Sequence, residues 1–242
     1  MLKIDAVPAF NDNYIWLIHA SDRRHVLIVD PGDAEPVIEA IEKHQLIPAG
    51  ILITHHHDDH IGGVSQLIAE YNIPVHGSNI SSIVVEGFPD ITVLDVAGHT
   101  ADHIAFLIED NLFCGDTLFA AGCGRLLGGT AEQLFNSLTL ISALPPGTNI
   151  YCAHEYTLAN LAFAATVEPE NIDIKQRILA TKVLREQGRA SVPSQLSLEL
   201  QTNPFLRCDE ITIKKAAEKW SSQQLETSQQ VFTVLRKWKD GF

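Results

Sequence analysis

Thr54-His55-His56-His57-Asp58-Asp59-His60 places four side chains of metal-ligating type, His55, His57, Asp59 and His60, within six positions. The stretch follows an apolar run, Ile51-Leu52-Ile53, and precedes a helix-like segment, Ile61 to Tyr71. His55 and His57 lie two apart, so an extended backbone aims them the same way. Asp59 and His60 follow at the expected start of the helix. Imidazole and carboxylate together suit zinc, iron or manganese. The competing reading is a solvated polar loop, and the strand-loop-helix context decides between the two.

Working outward, the first half of the chain reads as strands and turns. Ile4 to Val7, Tyr14 to His19 and His25 to Val29 are short β-branched and aromatic runs. Asp30-Pro31-Gly32-Asp33 reads as a turn, and Glu35 to His44 has helical spacing. Ile51 to Thr54 is a short buried strand. Ile61, Val64, Leu67 and Ile68 mark one face of the helix that follows. Further strands are expected over 74–76, 91–96, 103–108, 111–114 and 149–153, with a helix over 132–142. After about Val167 helical patterns dominate, over 174–186, 196–200, 213–220 and 228–239. Gly188 to Pro193 and Asn203-Pro204 interrupt them. The expected fold is a layered α/β core over residues 1–166 with a small helical region over 167–242.

Polar residues of ligating type recur at or just past the ends of the apolar strands. His99 follows the 91–96 run, Asp116 follows 111–114, and His154 follows 149–153. Loops at strand ends are where α/β scaffolds collect ligands. With the first four, this makes seven candidates: His55, His57, Asp59, His60, His99, Asp116 and His154. That exceeds what one ion needs and suffices for two. A catalytic zinc keeps about three protein ligands and an open position. Two such ions can share a carboxylate, and Asp116 is the natural candidate. His56, Asp58 and His103 break the alternation and are read as lying behind the ligands or on the surface. His19, His25, His44 and His76 are read as ordinary surface or core histidines.

Bulk composition narrows the function. The 242 residues carry 17 Lys+Arg against 30 Asp+Glu, a net charge of −13. Such a chain repels a nucleic-acid backbone. A small anion held by a few local cations is compatible with it. No apolar stretch is long enough to span a bilayer, and Met1-Leu2-Lys3-Ile4-Asp5 lacks the plan of a signal peptide. The four cysteines, Cys114, Cys123, Cys152 and Cys208, form no C-x-x-C pair, so a reducing cytoplasm is the expected location. Arg236, Lys237 and Lys239 crowd near the C-terminus against Asp240. A solvated helix end, where cations favour the dipole, explains them equally well.

The histidine motif, with His99, Asp116 and His154 at increasing distance, resembles the metallo-β-lactamase superfamily. Further blocks resemble glyoxalase II, the hydroxyacylglutathione hydrolases. They are Cys114-Gly115-Asp116-Thr117-Leu118-Phe119, Ala121-Gly122-Cys123-Gly124-Arg125, Gly128-Gly129-Thr130 and His154-Glu155-Tyr156-Thr157. Asn160-Leu161, Val167-Glu168-Pro169, Val192-Pro193-Ser194, Asn203-Pro204-Phe205-Leu206-Arg207 and Arg236-Lys237-Trp238-Lys239-Asp240 extend the likeness over essentially the whole chain. The resemblance implies an αββα sandwich, residues 1–166 holding two divalent metals, with a helical substrate-binding domain over 167–242. Zinc is the expected metal, with iron and manganese open. One ion would take His55, His57 and His99, and the other Asp59, His60 and His154. Asp116 and a water-derived hydroxide would bridge them, and Asp59 would also orient the hydroxide.

The implied reaction is hydrolysis of S-(2-hydroxyacyl)glutathione, typically S-D-lactoylglutathione, to glutathione and D-lactate, the second step of methylglyoxal detoxification. Arg125, Tyr156, Arg236 and Lys239 would bind the glutathione part. Leu127 departs from the pattern, because some members carry a tyrosine there. The only partner expected is the small thioester, acting on a monomer, with neither nucleic acid nor membrane. Persulfide dioxygenases resemble this family too, with one iron and O₂. A lactonase or β-lactamase would not need the C-terminal cations. A non-catalytic metal-binding scaffold would have two closed sites.

Overall fold

The computed structural model describes residues 2–77 and 81–242. A first mixed sheet runs β1 (Ile4–Ala9), β2 (Asn13–His19), β3 (His25–Val29), β4 (Ile47–Leu52) and β5 (Val75–His76), in that spatial order. β1 to β3 are antiparallel, and β3, β4 and β5 are parallel. Helices α1 (Glu35–His44), α2 (Asp58–Ile61) and α3 (Val64–Tyr71) make the crossovers. The second sheet is built from β6 (Ser82–Ile83), β7 (Ile91–Asp95), β8 (Ile104–Ile108) and β9 (Asn111–Gly115), then β12 (Asn149–Cys152) and β13 (Ser194–Gln195). Between β9 and β12 lie a two-stranded hairpin, β10 (Leu118–Phe119) with β11 (Gly122–Cys123), and helix α4 (Ala131–Ser142). The C-terminal helices are α5 (Thr157–Val167), α6 (Ile172–Glu186), α7 (Leu196–Thr202), α8 (Ile211–Ser221) and α9 (Ser228–Asp240).

Strand periodicity explains the layering. Along β2, Ile15 and Leu17 face outward with Ile28, Ile51, Val37, Ile41 and Leu67, under α1 and α3. Tyr14, Trp16 and Ile18 point the other way, into the core shared with Phe106, Ile108 and Phe113 of the second sheet. Alternate side chains leave opposite faces, so a strand buried on both sides must be apolar throughout. All seven β2 residues are buried. The two sheets touch at β2 and the end of β12. Trp16 Nε1 donates to Cys152 O at 3.1 Å, and Tyr14 N donates to Ala153 O at 2.7 Å. The result is an αββα sandwich with a helical C-terminal region. No helix among the described residues is long and apolar enough to cross a membrane.

Two helices differ from the sequence expectation, and the two-residue strands β6, β10, β11 and β13 have no counterpart in it. The helix expected over 61–71 is two helices, broken at Gly62-Gly63. A Cβ on Gly62 would lie 2.5 Å from Gly32 O, and one on Gly63 would lie 2.5 Å from Ala34 N. The break lets the chain pass against the turn after β3. Ile68, expected on the buried face, is exposed, and Leu67 is the fully buried residue of α3. Helix α5 has no counterpart in the sequence reading. Thr157–Val167 is apolar almost all round, so no 3.6-residue stripe marks it. It packs against α6 and α8.

Buried polar side chains join the helical region to the hairpin. Glu199 Oε2 accepts from Ala121 N (2.8 Å) and from Asn203 Nδ2 (3.1 Å), while Arg177 donates to Glu199 Oε1. Asn203 Nδ2 also donates to Gly122 O at 2.9 Å, and Asn160 Nδ2 to Ala120 O at 3.0 Å. The hairpin turn is therefore held by the C-terminal region. Arg177→Met would leave the fully buried Glu199 without its cation. Removing one partner of such a pair costs about 3 kcal/mol or more. A lower urea-unfolding midpoint is expected, and an unchanged midpoint would show that the pair contributes nothing.

Candidate metal centre

The donors come from the C-terminal ends of β4, β9 and β12 and the loop after β7. His55, His57 and His99 bring one nitrogen each within 4.8 Å of one another, and Asp59, His60 and His154 form a second such group. His57 Nδ1 lies 3.0 Å from His55 Nε2 and 3.1 Å from His99 Nε2. Tetrahedral ligation at about 2.0–2.1 Å spaces donors roughly 3.3 Å apart, close to these separations. Asp116 lies between the groups. Its Oδ2 is 3.5 Å from His99 Nε2, and its Oδ1 is 3.4 Å from His60 Nε2 and 3.3 Å from His154 Nε2. One carboxylate thus faces both sets.

Hydrogen bonds behind the rings decide which nitrogen looks inward. His99 Nδ1 is 2.8 Å from Arg125 O, and a carbonyl only accepts, so Nδ1 carries the proton. His60 Nδ1 donates to Asp30 Oδ2 at 3.0 Å, and His154 Nδ1 to Asp12 Oδ1 at 2.8 Å. Thr54 Oγ1 donates to Asp30 at 2.6 Å, which leaves its lone pairs for His55 Nδ1 at 3.1 Å. In their neutral forms all four rings then present a bare Nε2 to the centre. Carboxylates and carbonyls behind imidazoles orient metal ligands in this way.

His60 Nε2 and Asp116 Oδ1 are buried and have no hydrogen-bond partner. An unpaired buried polar atom costs about 1–3 kcal/mol. A cation between the two groups would satisfy both atoms. Electrostatics point the same way. Burial would raise the Asp116 pKa, but His154 and His60 beside it hold it well below the usual carboxylate range. Burial would lower His60, but Asp116 and Asp30 lift it to about 10, so without a cation it takes a proton. Burial, with the neighbouring imidazoles His60 and His103, pushes His55 strongly down.

The remaining histidines sort by surroundings. His103 is buried behind the centre, stacked on His55 at 4.5 Å. It accepts from Asp116 N at 3.1 Å and donates through Nδ1 to Ile104 O at 3.0 Å, so it braces the Asp116 backbone. Burial lowers its pKa to about 4, in keeping with a neutral ring. His56 is exposed, 3.6 Å from Asp102, and Asp58 is exposed. His19 is a satisfied core residue between Asp5 and Arg23 O, and His25 pairs with Asp22. Sequence reasoning missed Asp12, Asn13 and Asp30. Asn13 Nδ2 donates to Asp59 Oδ2 at 3.1 Å. Asp30 follows the apolar strand β3, the same strand-end signal that marked Asp116, but Asp-Pro-Gly-Asp drew attention as a turn.

A cavity of about 300 Å³ opens from His99 and Asp116. Arg125, Leu127, Tyr156, Arg236 and Lys239 all line it. Tyr156 stacks on the His154 ring, 4.7 Å away and 3° from parallel. Arg125 and Leu127 are exposed at the rim. Arg236 is 3% exposed, which is no solvated helix end. Its Nη1 donates to Cys123 O (2.8 Å) and Gly124 O (3.1 Å), and its Nη2 pairs with Asp240 at 3.0 Å. Lys239 is half-buried and makes no ion pair among the described residues.

Asp12→Ala tests the orienting role. Losing an outer partner of a ligating imidazole weakens metal affinity about 10- to 100-fold. In competition titrations of metal-free protein with zinc, one of two binding steps is expected to weaken by that factor. Two unchanged steps would show that Asp12 has no such role.

Comparison with known proteins agrees with this geometry. Residues 155–242 match the hydroxyacylglutathione hydrolase C-terminus, and residues 10–82 match the metallo-beta-lactamase superfamily. A hydroxyacylglutathione hydrolase of Aliivibrio fischeri is 49% identical over 258 aligned positions, covering 100% of both chains. Another from Alkalilimnicola ehrlichii is 48% identical, covering 99% of each. The crystal structure of ETHE1 from Myxococcus xanthus superposes with a TM-score of 0.67 over 98% of this chain and 91% of that one, at 21% identity, a likeness of fold alone. With its paired donor groups and full-length relatives, the chain is a metal-dependent hydrolase and belongs to the hydroxyacylglutathione hydrolase family of the metallo-β-lactamase superfamily.

Proposed function

We propose that the chain hydrolyses S-(2-hydroxyacyl)glutathione, with S-D-lactoylglutathione the preferred substrate, to glutathione and the 2-hydroxy acid. The observation that carries this reading is one carboxylate, Asp116, facing two donor groups at the inner end of a cavity whose outer wall holds Lys239. His55, His57 and His99 would hold one divalent cation and Asp59, His60 and His154 the other. Imidazole-carboxylate sets accept zinc, iron or manganese, and zinc is the proposed metal. Bound there, such ions lower the pKa of water toward about 7 and polarise a carbonyl.

The chain's own residues do the rest. Asn13 holds the Asp59 carboxylate toward His60 and His154, where it can orient an attacking water. The leaving group is a thiolate of pKa near 8.5 on the free-cysteine scale, so it departs with little help from an acid. No cysteine competes as nucleophile. Burial lifts Cys152 to about 12 and raises Cys123, so neither offers a thiolate near neutral pH. Residues 167–242 supply Arg236 and Lys239 to the glutathione side, and residues 1–166 supply the reacting centre together with Arg125 and Tyr156. Of the cations that line the cavity, Lys239 and Arg125 make no ion pair among the described residues and can meet carboxylates. Tyr156 offers its hydroxyl, which burial and the nearby Asp12, Asp116 and Asp59 keep protonated, with a pKa of about 12. Arg236 sits behind them with both Nη atoms engaged, and lends positive potential to the cavity. Leu127 adds an apolar edge at the rim.

The direct test is thiol release from S-D-lactoylglutathione by purified protein, before and after chelation and zinc restoration. Release is expected to vanish with the metal and return with it. A protein shown to hold two ions that releases no thiol would overturn the reading. Lys239→Met is expected to raise KM about 10- to 100-fold, the worth of a hydrogen bond to a charged group, with kcat little changed. An unchanged KM in steady-state assays would remove Lys239 from substrate binding.

A further inference from the structure

Lys239 does not swing freely at the end of α9. Its Nζ lies 5.4 Å from the ring centroid of Phe163 and 5.9 Å from that of Phe242. The two rings meet nearly edge to face, 5.4 Å apart at 73°. Phe163 is fully buried on α5, the helix whose Ala159 and Asn160 line the cavity. Trp238 meets Phe163 edge-on at 5.5 Å and stacks on Trp220, which ties α9 to α5 and α8. Phe242 is 60% exposed, an unusual setting for so large an apolar side chain.

Aromatic faces are electronegative and attract an ammonium within about 6 Å. A free lysine side chain carries roughly 2 kcal/mol of rotamer entropy that pairing with a ligand must overcome. Two rings that hold the ammonium beforehand remove part of that cost. They also compensate a cation that burial and the neighbouring Arg236 charge disfavour. We propose that Phe163 and Phe242 are positioning residues, which hold the Lys239 ammonium at the cavity mouth, aimed at a substrate carboxylate. The proposal rests on the glutathione reading above and adds to it the pair of rings that positions Lys239.

A double-mutant cycle separates positioning from packing. Phe242 is the ring to change, because Phe163 is buried and its loss would disturb the core. Phe242→Ala, Phe242→Trp, Lys239→Met and the Phe242→Ala/Lys239→Met pair are assayed for thiol release from S-D-lactoylglutathione. Phe242→Ala is expected to raise KM about three- to tenfold, the worth of a cation–π contact, with kcat within about twofold of the parent. Phe242→Trp should restore KM. In the Lys239→Met background Phe242→Ala should have no further effect, because the contact it removes is already gone. Equal KM increases in both backgrounds would assign Phe242 to packing and overturn the proposal. So would an unchanged KM for Phe242→Ala where Lys239→Met raises it. An unchanged KM for Lys239→Met itself would instead defeat the carboxylate reading, and the proposal with it.

Discussion

The centre depends on one constraint: each ring of His55, His60, His99 and His154 has its Nδ1 engaged from behind. Thr54 Oγ1, Asp30, the Arg125 carbonyl and Asp12 supply the partners. With Nδ1 committed, Nε2 is left to face its neighbours across about 3–3.5 Å. Such a gathering of lone pairs and carboxylates is unfavourable without a cation. The fold therefore carries a local cost that metal binding converts into stability. Two sheets are needed because the partners and the candidate ligands together draw on both. Asp12 and Asp30 follow strands of the first sheet, and Asp116 and His154 follow strands of the second.

Close approach makes the arrangement possible. Gly115 adopts a φ of +46°, and a Cβ there would lie 2.3 Å from Thr54 Oγ1. A Cβ on Gly32 would lie 1.9 Å from Asp59 O. At these points backbone and ligand loops touch, which only glycine allows. The hairpin that follows Asp116 is gripped by Glu199, Asn203, Asn160 and Arg236, all from the C-terminal part of the chain. The helical region thus shapes the wall of the cavity as well as contributing Lys239 to it.

Charge is distributed by the same logic. A chain of net charge −13 can still draw an anion into a cavity whose wall holds Arg125, Arg236 and Lys239. The three cations differ in use. Arg236 is spent on the backbone of Cys123 and Gly124, Arg125 is exposed at the rim, and Lys239 lies between two rings. A basic cluster in sequence became one structural clasp and one poised ammonium.

The sequence by itself determined the types of the candidate donors and their places at strand ends, because a strand's period of two and the loop after it are local properties. It also determined the layered α/β class and the helical C-terminal region, through patterns carried within single segments. The tertiary structure decided the rest. The roles of Asp12 and Asp30 exist only where β1–β3 bring them behind rings from β4 and β12. Helix α5 left no amphipathic signal because its exposed face, Ala159, Ala162 and Thr166, is made of small residues little more polar than the buried ones. The burial of Arg236 and the pairing of Lys239 with Phe163 and Phe242 join residues up to 113 positions apart. Periodicity reports which face of an element is buried, whereas what that face meets is set by how distant elements pack.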